Sequence, residues 1–162
     1  HNGDREHYGV LWVFTRIKES NMAGKYGPAS VTVTLEDSPG GTARALTNFI
    51  LEGVSAKTTS ILQDTTALGD SFEEQTPTGT KRMEPITLTC IWDTTGTTGT
   101  HAILGTVDDG PQDDGREMVI VFGDSKTMTM DVRLMSSEVI AANGAIQTIV
   151  AELTPTGAGV WS

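Results

Sequence analysis

In "KTMTMDVRLM", residues 126–135, every second side chain from Met128 to Leu134 is apolar: Met128, Met130, Val132 and Leu134. Successive side chains of a strand point to opposite faces, so this pattern suits a strand with one wet and one buried face. A helix turns by about 100° per residue and would throw Met128 and Met130 to opposite sides. The same period of two recurs in "SVTVTLED", where Val31, Val33 and Leu35 alternate with Thr32, Thr34 and Glu36. Strands of this kind are stable only when a second layer covers their apolar faces. The chain must therefore fold as packed β-structure.

The remaining segments supply that layer. After a "SPGG" turn, "TARALTNFIL" places Ala45, Leu46, Phe49 and Ile50 at helical spacing, which predicts one or two helical turns. "VSAKTTSIL" and "PITLTCIWD" read as strands, and "EMVIVFG" as a short, continuously apolar strand in a buried sheet position. "GTTGTHAILGTVDDG" predicts a short amphipathic helix over residues 101–108 with Thr100 as its N-cap. Asn143-Gly144 predicts a type I′ hairpin between "EVIAA" and "AIQTIVAEL". The tail "TPTGAGVWS" reads as flexible, with Trp161 exposed. The expected fold class is mainly β: two packed antiparallel sheets, sandwich- or barrel-like, with one short flanking helix. At 162 residues the chain fits one domain.

Residues 1–21 stand apart. "HNGDREHYGVLWVFTRIKESN" precedes Met22, and Lys18-Glu19 can be encoded by a bacterial ribosome-binding sequence with Ser20-Asn21 as spacer. We read this leader as upstream sequence translated in frame and the domain as residues 22–162. "VLWVF" lacks the basic region and small-residue cleavage site of a signal peptide. His1, Asp4, His7 and Trp12 therefore carry no functional weight, and N-terminal sequencing of the native protein tests the reading.

Charge and chemistry then remove several function classes. The formal net charge is −10, from 21 acidic and 11 basic side chains. Tight nucleic-acid binding needs a basic surface that releases counterions, so it is not expected, and neither is an anionic membrane partner. The single cysteine, Cys90, lies at an alternating apolar position and reads as a buried hydrophobe. His101 has no companion histidine in the body to build a zinc site or a triad. Asp108, Asp109, Asp113 and Asp114 in "DDGPQDDG" lack EF-hand spacing and read as a solvated acidic loop. Asp70, Glu73 and Glu74 lack the aromatic platform of a glycosidase. We expect no catalytic residues, no metal and no cofactor.

What remains is a polar stretch of unusual length, residues 64–84, with no core-forming pattern of its own. From Thr66, Leu68, Gly69 and Asp70, through Thr78-Gly79, to the strand ending at Asp93, the sequence resembles the major tail (tail tube) proteins of long non-contractile phage tails. The likeness extends to "VTLEDSPGGTARALTNFI", to the helix after "DTT" and to the last hairpin at Thr156-Gly157, covering most of residues 22–161. The resemblance implies a virion protein, assembled in the bacterial cytoplasm, whose homo-hexameric rings stack into a hollow tube for DNA passage. Its implied partners are tape measure, tail terminator and distal tail proteins, with duplex DNA only transient in the lumen. The loop then becomes an inter-subunit arm, with Leu68, Asp70, Phe72, Glu73 and Glu74 as contact residues. An acidic bore repels DNA and lets it slide; Asp108, Asp109, Asp113, Asp114 and Asp124 are the lumen candidates. A capsid decoration or carbohydrate-binding module, a type VI-like secretion tube subunit and a small acidic hydrolase are the competing readings.

Overall fold

The computed structural model describes residues 31–67, 72–110, 115–123 and 126–162. Its strands are β1 (Thr32–Glu36), β2 (Ala43–Ala45), β3 (Thr58–Asp64), β4 (Gln75–Met83), β5 (Ile86–Ile91), β6 (Arg116–Phe122), β7 (Lys126–Ile140), β8 (Thr148–Pro155) and β9 (Val160–Trp161). The helix α1 spans Thr100–Leu104. Seven strands form one antiparallel sheet ordered β2-β1-β6-β7-β8-β5, with β9 also pairing to β7. β3 and β4 form a separate two-stranded hairpin.

β7 is the spine of the sheet. Its first half pairs with β6 from Lys126 to Val132, and its second half pairs with β8 from Val132 to Ile140. Met128, Met130, Val132 and Leu134 all point inward and are at most 3% exposed. The alternation read from the sequence is thus the buried face of the sheet. One stretch of chain then joins the two sheet edges: β2 pairs with β1, and Ile50 bridges Cys90 on β5. Leu51 N–H donates to the Thr89 carbonyl, and Ile91 N–H to that of Phe49. Residues 43–51 can meet both edges only because the sheet curls into a half-barrel, which supplies both walls of the core. Val33, Leu35, Leu88, Met118, Ile120, Ile149, Ala151 and Leu153 fill it, and α1 adds Ile103 and Leu104.

The expected mainly-β fold is what the chain adopts, with one short helix among the described residues, and several local expectations change. "TARALTNFIL" is no helix: Ala43–Ala45 is a strand, and Leu46 N–H bonds to the Val33 carbonyl. Long-range pairing overrides its helical spacing. Gly99, not Thr100, is the N-cap of α1, which ends at Leu104. The Thr100 hydroxyl instead donates to the Ile91 carbonyl and accepts from Asp93 N–H, tying β5 to the helix. β6 alternates, with Arg116, Met118 and Ile120 buried. The β7–β8 hairpin does turn at Asn143-Gly144, where Ala145 N–H bonds to Ala142, but its last pair is Ile140–Thr148, so the loop is longer than a two-residue turn. The tail is not loose: β9 pairs with Met128 and Thr129, and Trp161 packs near Phe122 at 5.6 Å between ring centroids.

Candidate functional site: a projecting arm and the groove at its base

Half of the long polar stretch is strand. β4 occupies Gln75–Met83 and pairs with β3 from Thr58–Met83 at the base to Asp64–Gln75 near the tip. Among the described residues from Thr58 to Arg82, only Thr59 is even half-buried. A two-stranded hairpin without a covering layer is marginal in water. This one is held partly by its own polar contacts. Thr78 Oγ1 donates to the Ile61 carbonyl at 2.9 Å, and Glu74 N–H donates to Thr66 Oγ1 at 2.9 Å. The hydroxyl and amide of Thr66 also bond the Asp64 carboxylate, which lowers its pKa below the usual aspartate value.

The arm carries an irregularity at mid-length. Between the pairs Ser60–Lys81 and Leu62–Pro77, Ile61 stands opposite Thr78, Gly79 and Thr80. Gly79 lies at φ +84°, where side-chain-bearing residues are strained. Such bulges twist an edge and discourage indiscriminate strand pairing. The arm nonetheless exposes Ile61, Leu62 and Phe72, the last at 84%.

At the base, Met83 turns into the body. Its sulfur accepts a hydrogen bond from Gly159 N–H at 3.0 Å, and a Cβ on Gly159 would stand 3.0 Å from that sulfur. Beside this contact lies a groove of about 850 Å³ between the arm and the chain's last turn. Met83, Pro85, Pro155, Ala158 and Trp161 give it an apolar floor, and Lys81 and Arg82 lie along its edge.

The sequence-derived contact residues divide accordingly. Phe72, Glu73 and Glu74 lie together at the far end of the arm and are exposed, whereas Leu68 and Asp70 fall outside the described residues. Of the lumen candidates, Asp113, Asp114 and Asp124 also fall outside them. Asp109 is exposed beside a smaller cleft of about 300 Å³ that Arg133 and Asp37 share. Asp108 has a different occupation. It accepts from Arg116 Nη2 at 2.6 Å and Nε at 2.9 Å, and from Leu134 N–H at 2.8 Å. Arg116, 3% exposed, also donates to the carbonyls of Ile103 and Thr106. Asp108 thus satisfies Leu134 N–H in the middle of β7, just beyond the pair that Val132 makes with Arg116 at the start of β6, and its charge is neutralised inside the fold.

The sequence reading missed Arg116 and the groove. Arg116 was legible: counting back by twos from Ile120 and Met118 puts it on the buried face. The groove was not, because it joins residues 81–85 to residues 154–161, which no local pattern links.

No protein-family model matches the chain, and no curated protein matches it in sequence. Solved structures do match in shape. A chain in the tail of an empty gene transfer agent particle, solved by helical refinement with C6 symmetry, superimposes with a TM-score of 0.60 at 12% identity, covering 85% of this chain and 99% of that one. The SPP1 tail tube, solved by solid-state NMR and cryo-EM, gives 0.60 at 13% identity, over 85% and 79%. The fold is that of phage tail-tube proteins. The tail-tube fold also matches a chain of the six-fold symmetrised anti-feeding prophage baseplate, with a TM-score of 0.55 at 10% identity, over 87% and 97%.

Proposed function

We propose that this chain is a structural, non-catalytic virion protein whose copies form hexameric rings that stack into a hollow tail tube for DNA passage. The observation that carries the reading is the β3–β4 arm, a projecting hairpin with exposed aliphatic and aromatic side chains on a tail-tube fold. Obligate interfaces commonly bury more than about 2,000 Å² in total. A projecting arm adds contact area that the curled body lacks, and it exchanges a marginal hairpin for one covered by a neighbour.

The charge supports the same reading. A bore that collects phosphate contacts would brake DNA, whereas an acidic wall keeps the duplex mobile. We place Asp109, together with Asp113, Asp114 and Asp124, among the inward-facing carboxylates and remove Asp108, which is ion-paired within the fold. Negative-stain electron microscopy of the purified chain at rising concentration tests the proposal. Rings or tubes about six subunits around are expected, and discrete monomers at every concentration would contradict it.

A further inference from the structure

The arm is electrically polarised along its length. Residues 64–74 contain Asp64, Asp70, Glu73 and Glu74 and no basic residue. The base carries Lys57, Lys81 and Arg82, three of the seven basic side chains after residue 30. Arg44 and Arg116 among those seven are already committed to Asp37 and Asp108. At the base, Arg82 makes one exposed 3.4 Å ion pair with Glu84. The acidic end also holds Phe72, the most exposed large apolar side chain among the described residues, and the basic end holds the groove floored by Met83, Pro85, Pro155 and Trp161.

We propose that the groove at the arm's base receives the Phe72–Glu74 tip of a second copy's arm, with Phe72 on the apolar floor and Glu73 and Glu74 against Lys81 and Arg82. This rests on the tube reading and names the contact within it. The tip cannot reach its own groove, because β3 alone separates the two by roughly 20 Å at about 3.3 Å per residue. The pairing is also between unlike surfaces. A copy whose groove is filled by one neighbour still offers its own tip to another, so the contact propagates head to tail into a ring or a filament, whereas two copies that exchanged tips reciprocally would stop at a two-fold dimer.

Charge reversal in the full chain separates this contact from the tube reading itself. One variant carries Glu73→Lys and Glu74→Lys, the other Lys81→Glu and Arg82→Glu, and circular dichroism verifies that both fold. Sedimentation velocity and electron microscopy then read assembly. Each variant alone is expected to need about tenfold or more higher concentration than the unaltered chain, as for loss of a central contact. An equimolar mixture is expected to recover assembly, because each tip again meets an opposite groove. Variants that assemble normally, or a mixture no better than its components, would overturn the contact while leaving the tube intact. An unaltered chain that stays monomeric would remove both. As an independent measure, p-benzoylphenylalanine at position 72 should cross-link to residues 81–85 or 154–161 of another copy. Cross-links confined to other segments would contradict the assignment.

Discussion

β1 and β3 are both short, threonine-rich strands with two aliphatic side chains, yet they meet opposite fates. Val33 and Leu35 are 1% and 0% exposed, whereas Ile61 and Leu62 are 39% and 51% exposed. In β1 the two residues alternate and share one face, which the curled sheet covers. In β3 they are adjacent and lie on opposite faces, so no single layer could bury both. The body is finished by its own chain, while the arm presents apolar surface on two sides. That difference teaches where stability and assembly should part company under mutation.

The largest effect belongs to the body's buried ion pair. Asp108→Ala leaves the buried Arg116 guanidinium without its counter-charge and Leu134 N–H without its side-chain acceptor, and should cost about 3–5 kcal/mol in urea unfolding. Leu153→Ala should cost roughly 2–5 kcal/mol by opening a cavity in the core. The arm should behave otherwise. Phe72→Ala should leave monomer stability within about 0.5 kcal/mol of the unaltered chain, while assembly measured by sedimentation falls sharply. If Phe72→Ala unfolded the monomer as Leu153→Ala does, the division would fail.

Two smaller effects sharpen it. Gly79→Ala forces a Cβ into the left-handed region and should cost roughly 1 kcal/mol, read as faster amide exchange within residues 58–83 and unchanged exchange in β7. Acid should act weakly through Asp37 and Asp64. The Thr42 amide, with Arg44, holds the Asp37 carboxyl below its usual pKa, and Thr66 does so for Asp64. Their folded pKa values lie below the unfolded ones, so their contribution is complete above about pH 4 and is lost as pH falls through the lowered values. The urea midpoint of Asp37→Asn should accordingly vary less between pH 5 and pH 2 than that of the unaltered chain.

Legibility of the sequence followed this same division. Strands with a core face announced themselves, since Met128 to Leu134 and Val33 to Leu35 repeat with the period that burial imposes. β4 did not, because "QTPTGTKRM" is exposed at every position but Met83 and burial imposes no period there. β2 was masked by chance spacing, with Leu46 and Ile50 held by partners at Val33 and Cys90 far along the chain. Arg116 stands just before the "EMVIVFG" run and drew no reading, although its phase with Met118 marked it as internal. Of the site, the exposed Phe72–Glu74 tip was named from sequence and the groove was not. One is a local oddity, and the other exists only after β8 and β9 turn back toward Met83.

Hydrogen exchange monitored by mass spectrometry, before and after assembly, is the most direct test of the claim that the arm is completed by a neighbour. Amides of residues 58–67 and 72–82 should exchange quickly in the monomer and become strongly protected in the assembled state, while those of β6, β7 and β8 change little. An arm whose exchange is the same in both states would contradict the account.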